Sequence, residues 1–83
     1  MVRSLSNAAY QSFISGLVGA RKAASLSQVQ LASRLNLPQS YISKVERLER
    51  RLDVMEFCDI ARALGLDPGE LLERIFRDTP EPP

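Results

Sequence analysis

The stretch LSQVQLASRLNLPQSYISKVE, residues 26–46, leaves its backbone few choices. Ser27 is followed three residues later by Gln30, the spacing of a capping box that opens a helix. The apolar side of that helix is read as Val29, Leu31, Ala32 and Leu35. Asn36 then stands where the chain has to turn left-handed, and asparagine suits that turn best after glycine. Pro38 opens a second helix, its φ preset and no amide hydrogen to lose. The stretch therefore predicts two short helices across a tight joint, the second running to about Arg47.

The flanks extend this helical reading. Tyr10, Phe13, Ile14, Leu17 and Val18 follow the spacing of one apolar helix face, predicting a helix from Asn7 to Ala24. Asp53 and Glu56 make a second box-like start, for a helix over Val54 to Leu64 that Gly65 ends. Asp67, Pro68 and Glu70 start a fifth, reaching Arg77. No segment alternates with period two, so the expected fold class is all-α, with five helices and no sheet. Residues 1–6 and the Pro-rich 78–83 read as loose tails around one domain over 7–77.

At 83 residues the chain suffices for one small domain with a modest core. A single cysteine, Cys58, and the lack of histidine exclude a disulfide framework and a Cys/His zinc site. Cys58 reads as a small, partly buried apolar residue. No metal, cofactor or catalytic constellation is expected: there is no activated nucleophile, no cleft carboxylate pair and no Gly-rich phosphate loop. Apolar runs are too short for a membrane span, and no signal-type segment opens the chain, so a cytoplasmic protein is expected.

The net charge of +1 conceals a split. Residues 1–51 carry eight Lys/Arg against two acids, and residues 52–83 carry three Arg against eight acids. The split suits an anionic partner for the first half, or a solvated dipolar surface.

A helical wheel sharpens the choice. With Gln39 at 0° and steps of about 100°, Ile42 and Val45 face inward near 270°, while Ser43, Arg47, Ser40 and Lys44 spread from about 40° to about 140°. That outward face is donor-rich and acid-free. Gln39 and Ser40 can hydrogen-bond base edges, and Lys44 can reach guanine or a phosphate. Gln28, at a helix start, sits where a phosphate is attracted. Arg47, Arg50 and Arg51 follow as backbone contacts. Tyr41 suits a thymine methyl, a phosphate or the rim of the core. On the first helix, Arg21 lies about 20° from Tyr10 and continues the apolar stripe. It needs a partner there, and Glu46, the one acid before residue 49, is the economical choice.

At this point the stretch resembles the helix-turn-helix of the lambda-repressor-like, or XRE, family: Leu-Ser-Gln, then Leu-Ala, a turn, Ile-Ser and a closing Glu. "IARALGLDPGELL" is similar to that family's fourth and fifth helices, so the resemblance spans roughly residues 10–76. It implies the five-helix fold, with Ala32 at the close approach of the second and third helices. It implies a phosphate contact at Gln28, base reading at Gln39, Ser40 and Lys44, and a buried Arg21–Glu46 pair. It also implies a homodimer on a two-fold-symmetric site in double-stranded DNA. The chain departs from the family pattern at Ser25, Asn36 and Leu48, where glycine is frequent, and in the loop "ERLERR", where Glu49 suits phosphates only if an arginine neutralises it.

Leu71, Leu72, Ile75 and Phe76 are more apolar surface than a terminal helix needs, and are expected at a dimer contact. The function expected is a sequence-specific transcriptional regulator, such as a repressor, with Gln39, Ser40, Ser43 and Lys44 as readers. The alternative is a protein-interaction module or antitoxin-type partner on the same fold, docking through its acidic half.

Overall fold

A computed structural model describes residues 7–78. They form five helices: α1 Ala8–Ala23, α2 Gln28–Arg34, α3 Gln39–Glu46, α4 Val54–Ala63 and α5 Pro68–Asp78. No strand occurs among the described residues. The expected tails at 1–6 and 79–83 lie outside them, while Asp78 ends α5 instead of opening a tail.

Local chemistry sets each start. Asn7 caps α1 through the Tyr10 amide at 3.0 Å. Ser27 and Gln30 form a reciprocal capping box at α2, as do Asp53 and Glu56 at α4. Pro38 is one position earlier than expected: its ψ of 152° makes it the cap, so α3 begins at Gln39.

One device closes the first four helices. Ser25, Asn36, Leu48 and Gly65 have φ between 57° and 78°, in the left-handed region. The amide one residue beyond each reaches back five residues, Leu26 to Arg21, Leu37 to Ala32, Glu49 to Lys44 and Leu66 to Ala61, at 2.8–3.2 Å. Gly65 takes this turn without steric cost. Leu48 takes it while its side chain packs on the core, which offsets the strain.

The turns fold the helices around one core of Ile14, Leu17, Leu31, Ile42, Ile60 and Leu71 with their buried neighbours. Ala32 and Ala61 are essentially sealed, and their small size lets α2 approach its neighbours. Gly16 does the same for α1 and α5: a β-carbon there would meet Ile75 at 3.0 Å. Tyr10, Phe13 and Phe57 pack ring to ring, with centroids 5.8 and 5.3 Å apart.

Two expectations are corrected here. Val29 does not join the core; it is 61% exposed, because it lies about 200° around α2 from buried Leu31. Leu71 and Ile75 are not surface residues: both are buried within the chain's own core, Ile75 against Gly16 of α1. Leu72 is half-buried and packs on that core, which leaves Phe76 as the exposed large apolar side chain of the four.

Candidate nucleic-acid interface

Ile42 and Val45 anchor α3 inward, 1% and 2% exposed. Their burial fixes the rotation of the helix and turns Gln39, Ser40 and Lys44 outward, where all three are exposed. Lys44 is in no ion pair among the described residues, so its charge is available on that face.

Ser43 is corrected. The wheel puts it outward, yet it is buried. Arg47, one turn later, folds back and donates to the Ser43 hydroxyl, while Glu49 holds the same guanidinium at 3.0 and 3.1 Å. A long neighbour drawn across by an acid covers Ser43.

Beneath the face lies the pair anticipated from the stripe. Arg21 Nε and Nη2 donate to the two Glu46 carboxylate oxygens at 2.7 and 3.0 Å. Arg21 Nη1 donates to the Leu26 carbonyl at 2.8 Å. The fork ties α1 to the end of α3 and to the chain entering α2. The side chains are 10% and 13% exposed, so the pair is largely screened from water.

The contacts go further than the pair. Gln28 Nε2 donates to Glu46 Oε1 at 2.8 Å, and Gln39 Nε2 donates to Gln28 Oε1 at 2.8 Å. A line of hydrogen bonds thus runs from Arg21 through Glu46 and Gln28 to Gln39, from the protein interior to the first residue of α3. Sequence reasoning placed Gln28 at the phosphate backbone and did not find its bonds to Glu46 and Gln39. Those bonds cross between two helices, and no spacing along one helix signals them.

The arginines after α3 are more committed than expected. Arg50 pairs with Glu56 at 2.8 Å and lies 4.5 Å over the Tyr41 ring. Arg51 lies 4.8 Å over the Tyr10 ring, whose hydroxyl accepts the Leu52 amide at 3.1 Å. These contacts pin a loop that lacks glycine. Tyr41 is half-buried on the core rim, and burial, then the charge of Glu56, raises its hydroxyl above the ordinary value. The Arg50 hydrogen bond, followed by the Asp53 amide, holds Glu56 below the ordinary carboxylate range, and Arg47 does the same for Glu49.

Two short helices at a fixed joint, the second with a buried side and a polar side free of acids, define a helix-turn-helix. The helix-turn-helix family model matches residues 19–71, and the chain belongs to that family, whose XRE-type members are DNA-binding regulators. Among solved structures, the chain is similar to an XRE-family like protein from Pseudomonas syringae pv. tomato str. DC3000, with 50% identity and a TM-score of 0.81. That match covers 89% of this chain and 90% of the other. No curated protein matches the chain. No helix among the described residues is long and apolar enough to cross a membrane.

Proposed function

We propose that the chain is a sequence-specific double-stranded DNA-binding transcriptional regulator that acts as a homodimer on a two-fold-symmetric operator, with α3 in the major groove. The observation that carries this reading is the exposed, acid-free face of α3, where Gln39, Ser40 and Lys44 stand over buried Ile42 and Val45. Gln39 reads adenine through its amide, and Lys44 reaches guanine or the adjoining phosphate. Gln28 and the rim of Tyr41, Arg47, Arg50 and Arg51 lie along the DNA backbone. Arg47 and Arg50 are already neutralised by Glu49 and Glu56, so they grip phosphates less than bare arginines do.

Two copies related by a two-fold axis place their α3 helices in successive major grooves about 34 Å apart. Phe76, exposed on α5, belongs to the face expected to meet the second copy. Bound over a promoter, such a dimer represses by occlusion.

The test is selection of duplexes from a random pool, followed by titration of the winner at two salt concentrations. A palindromic product, and an affinity that falls steeply with salt, are expected. Replacement of Gln39 or Lys44 by alanine should weaken specific binding by about tenfold or more. A protein that binds neither random nor selected DNA at low salt defeats the reading.

A further inference from the structure

Gln39, Ser40, Ser43, Lys44 and Arg47 share the outward side of α3 and its C-terminal cap. Of these, Gln39, Ser40, Lys44 and Arg47 are exposed, and Ser43 alone is buried, at 8%. The helix has not turned Ser43 inward, since Ile42 and Val45 fix its rotation and Lys44 beside it stays exposed. The Ser43 hydroxyl is instead engaged by Arg47, one turn on, whose Nη1 donates to Ser43 Oγ. The other two guanidinium nitrogens, Nε and Nη2, fork onto the Glu49 carboxylate at 3.1 and 3.0 Å. Left-handed Leu48 brings Glu49 there, and the Glu49 amide returns to the Lys44 carbonyl at 2.8 Å.

This hold on Arg47 is weak. Arg47 and Glu49 are 57% and 53% exposed, and exposed pairs contribute little. A phosphate offers a guanidinium the same two-oxygen edge as a carboxylate. Beside a duplex, a phosphate therefore competes with Glu49 for Arg47, and the neighbouring phosphates repel the carboxylate.

We propose that Ser43 is a base-reading residue held in reserve: Arg47 occupies its hydroxyl in the free chain, and the transfer of Arg47 from Glu49 to a DNA phosphate releases it. The proposal rests on the DNA-binding reading above and adds a condition to it. Gln39, Ser40 and Lys44 stand ready in the free chain, whereas Ser43 reads only after the backbone contact beside it has formed. A released serine hydroxyl both donates and accepts, so it serves an acceptor or a donor on a base edge. Glu49 is the positioning residue that keeps Arg47 on Ser43 until a phosphate arrives.

The test takes the selected duplex with single base-pair substitutions. Kd is measured for the unsubstituted chain, Ser43→Ala, Arg47→Ala and the double variant. Neither side chain belongs to the hydrophobic core, so their removal should leave the fold intact. Ser43→Ala should cut the preference at one base position by about fivefold. Arg47→Ala should weaken binding to all sequences alike, lower the salt slope by about one, and keep that preference. Ser43→Ala added to Arg47→Ala should remove the preference again. The gate itself is tested on the DNA, by replacing one phosphate at a time with an uncharged methylphosphonate. The phosphate that Arg47 takes is the one whose replacement costs nothing further in Arg47→Ala. In the unsubstituted chain this replacement should erase the preference that depends on Ser43, and in Arg47→Ala it should leave it. Base preferences untouched by Ser43→Ala, no phosphate that answers to Arg47, or a Ser43 preference that survives the neutral phosphate overturns the gate while DNA binding stands. The absence of any DNA binding overturns both readings.

Discussion

Two of the arginine–glutamate pairs around α3 and the loop that follows, one buried and one exposed, do different work. Arg21 and Glu46 are 10% and 13% exposed and join two helices distant in sequence. Arg47 and Glu49 are 57% and 53% exposed and sit two residues apart. Burial, more than the pairing itself, sets the energetic weight of each. Removal of one partner of the buried pair strands a charge and loosens whatever leans on it. The exposed pair is screened by water and salt, and its main effect is to cancel a positive charge beside the recognition face.

The largest effect should come from the buried site. Arg21→Ala leaves Glu46 uncompensated and should cost about 3 kcal/mol, or roughly 15 °C in Tm for a domain of this size, read by thermal denaturation. An unchanged Tm breaks the contrast at once. Replacement of both partners, Arg21→Met with Glu46→Leu, removes the stranded charge and should recover most of that loss.

A smaller effect belongs to Arg50 and Glu56, which lie between the extremes. Glu56 titrates below the ordinary carboxylate range when folded, chiefly through Arg50. Its folded value is therefore lower than its unfolded one. The pair's contribution is present at neutral pH and is lost as pH falls from the ordinary carboxylate range through the lowered value. Arg50→Met should flatten part of the decline in Tm as pH falls from neutral through the carboxylate range.

The smallest effect on folding should be at Glu49. Glu49→Gln should leave Tm within the scatter of repeat melts, as exposed pairs contribute little. It releases Arg47, so nonspecific DNA affinity at low salt should rise about threefold, with a steeper dependence on salt. No change in affinity would mean that Arg47 lies away from the phosphates.

The sequence disclosed the fold wherever the cause is local. Ser27 with Gln30, Asp53 with Glu56, Asn36 and Gly65 each act within a few residues, and each start or stop appears at or within one residue of its expected place. The Arg21–Glu46 pair was also legible, because a charge on an apolar stripe requires a counter-charge and the first half of the chain offers few. What stayed hidden depends on a second element. Periodicity marked Leu71 and Ile75 as apolar on one side of α5 but not what covers them, and the cover is the chain's own core. Ser43 points outward on an isolated helix, yet in the folded chain it is buried and the Arg47 guanidinium, held by Glu49, donates to its hydroxyl. The bonds from Gln28 to Glu46 and Gln39 depend on how α2 sits against α3, which no spacing within one helix reports.

The left-handed stop at Leu48 has one more consequence. It limits α3 to eight residues, a rod about 12 Å long. Laid in a groove, a rod of that length meets the edges of about four base pairs. A word of four letters recurs by chance throughout any genome. In the dimer proposed above, selectivity is built by repetition, with two short words at a fixed distance in place of one long one.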